Sequence, residues 1–157
     1  MDLSNNRQVH TEKLTLMGLS GLAILLQDQG KYEQAEEVIQ GAMPAYEAAM
    51  GGSHSDTLAC MSNLATVLQD QGKYEQAEEV NRRALAGYEA ALGGSHPKTL
   101  VCMSNLATVL QDQGKHGQAE EVNRHALREY KKLKGSHSER LVSFQGTGPR
   151  LIARNIV

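Results

Sequence analysis

The 157-residue sequence has no tryptophan, one phenylalanine and five tyrosines. Any core must therefore be built from Leu, Ala, Val and Met, and Leu and Ala favour closely packed helices. Cysteine is scarce too, with only Cys60 and Cys102. Two cysteines make no disulfide framework, and these two are expected to act as small buried hydrophobes. No apolar run approaches the ~20 residues of a membrane span. Met1 to His10 is polar and lacks the apolar core of a secretory leader. The formal net charge is −2, far from the basic footprint of a nucleic-acid binder. These absences point to a cytoplasmic protein without nucleic-acid or membrane partners. Reactive constellations are missing as well. There is no phosphate-cradling glycine loop, no Cys-x-x-Cys and no paired-histidine motif, so neither an enzyme nor a cofactor is expected.

What the sequence does contain is itself, three times over. Leu26 to Val38 reads LQDQGKYEQAEEV, and Leu68 to Val80 repeats it without a change. Leu110 to Val122 repeats it with two changes, and the offset is 42 residues each time. Between Thr57–Tyr88 and Thr99–Tyr130, 26 of 32 positions match. Such periods signal a solenoid of stacked supersecondary units.

Each unit divides into two helices. In the middle unit Leu58, Met61, Leu64, Ala65 and Leu68 form one helical stripe, with Ser55 or Asp56 as the N-cap. Gly72 supplies a C-cap. A second helix follows, facing inward with Tyr74, Ala77, Val80, Ala84, Leu85, Tyr88 and Ala91 or Leu92. Gly93-Gly94-Ser95 stops it, and Pro97 suits the first turn of the next helix. First helices are expected near 12–29, 55–71 and 97–113, and second helices near 31–50, 73–92 and 115–134. The chain then divides into a polar lead-in (1–11), three hairpins (12–50, 55–92, 97–134) and a C-terminal segment (135–157). In that last segment Ser138 to Gln145 reads as a fourth first helix acting as a cap, followed by a tail.

Several positions break the pattern. Gly18 and Gly21 weaken the first helix, Pro44 should kink or break the second, and His116-Gly117 should loosen the third hairpin. Asn81 and Asn123 stand where Ile39 offers a large apolar side chain.

The Leu-small pairs Leu22-Ala23, Leu64-Ala65 and Leu106-Ala107 and the Gly-x-Tyr turns resemble the tetratricopeptide repeat. So do the alanine pairs Ala35/Ala42, Ala77/Ala84 and Ala119/Ala126. The long 42-residue form is similar to kinesin light chains, and closer still to the repeat tails of fungal nucleotide-oligomerisation receptors. The resemblance implies an all-α, right-handed solenoid of antiparallel hairpins that binds protein or peptide ligands on its concave face, in the receptor case as a sensor module. The alternative is a self-association element, with homo-oligomers formed through the solenoid ends.

The resemblance also implies that first helices line the concave face. There the second and third units present Asn63, Thr66, Gln69 and Asp70, and Asn105, Thr108, Gln111 and Asp112. Asn63 and Asn105 lead this set, because a side-chain amide both donates and accepts and so can pair with any peptide backbone. They could equally bond across the groove to a neighbouring helix. Asp28, Asp70 and Asp112 sit at helix C-termini, an unfavourable place for a carboxylate. Ion pairs with Lys31, Lys73 or Lys115, or attraction for a basic ligand, are the expected compensation. His54, His96 and His137 recur in the inter-repeat loops, too far apart to share a metal, and are expected to pack there.

Overall fold

The computed structural model describes residues 3–145, with side chains described for 14–135. Six helices run in order: α1 (Leu3–Asp28), α2 (Tyr32–Met50), α3 (Ser55–Asp70), α4 (Tyr74–Leu92), α5 (Pro97–Asp112) and α6 (His116–Gln145). No strand occurs among the described residues. Each helix packs on the next, and the odd-numbered helices also touch one another, α1 on α3 and α3 on α5. The result is an all-α array of three stacked hairpins.

The turn inside each hairpin is a Schellman motif. Gly72 takes φ +75°, its N–H bonds the Gln69 carbonyl at 2.9 Å, and the Lys73 N–H bonds the Leu68 carbonyl at 2.8 Å. Gly30 and Gly114 repeat this geometry with φ +72° and +75°. The third turn closes like the others, so the replacement of Tyr-Glu by His116-Gly117 does not open it. Its hydrogen bonds come from the backbone, which those side chains do not alter.

Between hairpins the polar groups are again used locally. The Thr57 hydroxyl donates to the Gly51 carbonyl at 2.9 Å, and Thr99 donates to Gly93 at 2.8 Å. The caps of α3 and α5 are His54 and His96, not Ser55 or Asp56. Their Nδ1 atoms accept from the Asp56 N–H at 3.1 Å and the Lys98 N–H at 3.2 Å. A neutral imidazole has one free acceptor nitrogen, which is all an N-cap needs. The recurring histidines thus serve the helix starts, while His137 falls within α6.

The expected stripes are buried. Leu58, Met61, Leu64, Ala65 and Leu68 of α3 lie inside, with Ala77, Ala84 and Tyr88 of α4. Tyr74, Val80 and Leu85 are half-buried, whereas Ala91 and Leu92 are exposed. A second buried face of α3, formed by Cys60 and Val67, meets the preceding hairpin. Burial pushes the Cys60 and Cys102 thiols up to about 11, so both stay protonated.

Three expected breaks are absent. The segment 1–11 was expected as a lead-in, yet α1 begins at Leu3. Pro44 lies inside an unbroken α2. It is exposed, so the Gln40 carbonyl that loses its N–H partner can turn to water. The helix α6 runs through Gly135 to Gln145, so Ser138 to Gln145 prolongs α6 and makes no separate cap. A helical glycine costs only about 1 kcal/mol, too little to stop a helix without a capping turn. The expected tail at 146–157 lies outside the described residues.

Candidate functional site

Two polar ladders link one repeat to the next. On the first helices, Gln27 Nε2 donates to Asp70 Oδ2 at 2.6 Å, and Gln69 Nε2 donates to Asp112 Oδ2 at 2.6 Å. The recurring aspartates are therefore held by glutamines of the preceding unit. The expected ion pairs with Lys73 and Lys115 are not formed, because those lysines reach backwards to other carboxylates. Lys73 Nζ lies 2.8 Å from Glu36 Oε2, and Lys115 Nζ lies 2.7 Å from Glu78 Oε2.

These glutamates form the second ladder. Glu78 also accepts from Gln113 Nε2 at 2.9 Å and Arg82 Nε at 2.8 Å, while Gln113 Nε2 donates to the Tyr74 carbonyl at 3.0 Å. Glu36 repeats the arrangement with Gln71 at 2.9 Å. The Lys115 ammonium, with Arg82 and Gln113, outweighs partial burial and holds the Glu78 carboxyl down to about 2. Lys73 and Gln71 hold Glu36 below its ordinary range in the same way. The ladders tie each repeat to the next.

Between α3 and α5 lies a groove of about 360 Å³. Asn63 and Asn105 line it one repeat apart, together with Thr66, Tyr88, Lys98 and Val101. Both asparagines are half-buried, and no hydrogen bond to another described residue occupies either amide. The alternative of a bond across the groove is thus not realised. Thr66 and Thr108 donate to the carbonyls of Ser62 and Ser104 on their own helices, each at 3.0 Å. Of the eight residues singled out from the sequence, Asn63, Thr66 and Asn105 border this groove. Gln69, Asp70 and Asp112 belong to the inter-repeat ladder, and Thr108 and Gln111 lie exposed on α5. Tyr88, Lys98 and Val101 were not anticipated. Tyr88 comes from a second helix, and the other two occupy the first turns of α5, where the repeats vary.

A family model of the tetratricopeptide repeat matches residues 14–90 and 61–132. The chain belongs to the tetratricopeptide-repeat family. Two solved structures show how far the likeness of this tetratricopeptide array extends. Nearly identical repeats of the kinesin light chain type from Podosopora anserina share 24% identity with it. They match at a TM-score of 0.69, over 76% of this chain and 56% of that one. BtubC (BKLC) from P. vanneervenii shares 20% identity at a TM-score of 0.72, over 90% of this chain and 53% of that one. The chain therefore spans a little more than half the length of those proteins, and the likeness at this identity is one of fold. Among curated proteins, none matches.

The tetratricopeptide array has a second and larger opening, of about 480 Å³, between α4 and α6. Leu85, Leu106 and Val122 form its floor. One of its charged groups, Arg82, is already taken, since it pairs with Glu78 and donates to Gln118 Oε1 at 3.2 Å. Among the described residues, no group of three or more His, Cys, Asp or Glu could hold a metal ion. No described helix is long and apolar enough to cross a membrane.

Proposed function

We propose that this chain binds an extended peptide segment of a partner protein in the groove between α3 and α5. The observation that carries the proposal is the pair of unengaged amides, Asn63 on α3 and Asn105 on α5, one repeat apart and one on each helix that borders the groove. An extended backbone presents alternating donors and acceptors, and a side-chain amide satisfies one of each. Val101 and Tyr88 offer an apolar seat beside the amides, and Lys98 adds one positive charge. Such a module is a scaffold and performs no chemistry. The free thiols of Cys60 and Cys102 accord with a reducing, cytoplasmic setting. The same groove would suit the sensor part of a larger receptor.

The test is a peptide-display selection on the purified chain, followed by titration calorimetry of the selected peptides. Replacing Asn63 and Asn105 together by Ala should weaken their binding at least tenfold while the melting temperature stays within a degree or two. Peptides that bind the double variant as tightly as the parent would place the site elsewhere.

A further inference from the structure

The two ends of the array are complementary halves of the joint that the chain already makes twice within itself. In the joint between α4 and α5, Tyr88 and its neighbours on α4 cover Cys102 and Leu106. Tyr88 is 4% exposed and Leu106 is 1% exposed. Counting 42 residues along, the position of Tyr88 on α6 is Tyr130, which is 51% exposed. Counting 84 back, the position of Leu106 on α1 is Leu22, which is 45% exposed, and that of Val109 is Leu25, 58% exposed. The tail carries the knob and the head carries the socket, and both lie open.

The polar ladders are cut in the same way. Glu36 and Glu78 each receive the glutamine and lysine of the following turn. Their third copy, Glu120, meets no following turn among the described residues; it pairs with Arg124 at 2.7 Å, and its side chain is 69% exposed. At the head, Lys31 donates to Gln29 at 2.7 Å and meets no glutamate among the described residues. Likewise Gln27 reaches Asp70 and Gln69 reaches Asp112, which leaves Gln111 at the tail and Asp28 at the head unmatched among the described residues. The helices at the two ends are also the long ones. The helix α1 has 26 residues against 16 for α3, and α6 has 30 against 19 for α4. In an α4–α5-type joint the C-terminus of α6 would run antiparallel beside the N-terminus of α1. No loop needs to connect them, so both extensions can lie side by side.

We infer that the chain associates head to tail with further copies of itself. The α6 face around Tyr130 docks on the α1 face around Leu22 and Leu25, and Glu120 receives Lys31 of the next copy. Such a contact uses two different surfaces, so it leaves one of each free at the ends of every assembly and builds an open series. It is independent of the peptide groove on α3 and α5.

Sedimentation velocity over a concentration series tests this on the 157-residue chain. The average mass should rise steadily above the 17.1 kDa of the monomer without a plateau at the dimer. Leu25→Glu blocks the head and Tyr130→Glu blocks the tail. Both sites are exposed, and circular dichroism checks that each variant is folded. Each variant alone should be monomeric. An equimolar mixture should form a dimer and nothing larger, because one intact head meets one intact tail. Glu120→Lys should weaken association roughly three- to fivefold, as expected for one ion pair, and adding Lys31→Glu to the same chain should restore it. Three results would overturn the inference: a parent that stays monomeric, a concentration-independent dimer, or a mixture of the two blocked variants that remains monomeric.

Discussion

Leu22, Leu64 and Leu106 occupy the same place in three copies of one unit, yet the first is 45% exposed and the other two are 7% and 1% exposed. The difference lies in the neighbour. The helices α3 and α5 are each sandwiched between their own partner and the helix before them, whereas α1 has only α2 and, at its margin, α3. The same contrast separates Tyr46 and Tyr88 from Tyr130. In a solenoid a side chain's energetic worth is set by which units stand beside it, because stability is a sum over units and the interfaces between them.

The sharpest way to break this comparison is to cut the same side chain at two places. Leu106→Ala should cost about 3 kcal/mol, within the usual range for a buried leucine. Leu22→Ala should cost well under 1 kcal/mol at concentrations where the chain is monomeric. Urea melts of both variants measure the gap, and similar costs would mean that α1 is covered by something besides α2.

A smaller effect is expected at a buried position where the repeats differ in polarity. Asn81 is 1% exposed, and its Oδ1 is buried without a hydrogen-bond partner. An unsatisfied buried acceptor costs about 1–3 kcal/mol. Unit one solves the same position with Ile39, which is buried. Asn81→Ile should therefore raise stability by about 1–2 kcal/mol, while Asn123→Ile on the exposed counterpart should change it by less than 0.5 kcal/mol. Thermal melts in parallel decide it.

The smallest effect concerns the charged ladder. The carboxyl of Glu78 is held down to about 2 in the fold and returns to the ordinary carboxylate range, about 4.3, when the chain unfolds. In between, the unfolded chain binds more protons than the folded one. The contribution is thus fully present above about pH 4.5 and is lost as pH falls towards 2. Glu78→Gln should cost on the order of 1 kcal/mol at neutral pH, discounted for solvent. It should also flatten the acid limb of the stability profile. A variant whose stability falls with pH as steeply as the parent's would remove Glu78 from the account.

Much of this architecture was legible because the period repeats local rules. The turn at Gly72 needs a left-handed residue, and the sequence puts glycine there three times. The stripe of Leu58, Met61, Leu64 and Leu68 along α3 and the paired Ala77 and Ala84 of α4 mark the faces that meet. The aspartate ladder was not legible for a physical reason. Asp70 is three residues from Lys73 but 43 from Gln27, and its nearest cation in sequence is drawn away to Glu36 across the repeat boundary. The histidine caps escaped notice because histidine caps through a ring nitrogen, outside the usual set of short oxygen-bearing side chains. The candidate groove was half visible. Asn63 and Asn105 recur at the repeat spacing, but Tyr88 joins them only because α4 folds back beneath α5.

By itself the sequence determined the unit. Its length, its two helices and its glycine turn follow from local periodicity and from backbone geometry that only glycine accepts readily. The tertiary structure decided which copies of a residue are buried, which carboxylate each lysine reaches and which amides stay free. Those outcomes depend on the helix lying alongside, one repeat away in the chain, and identical neighbours in sequence give no sign of it.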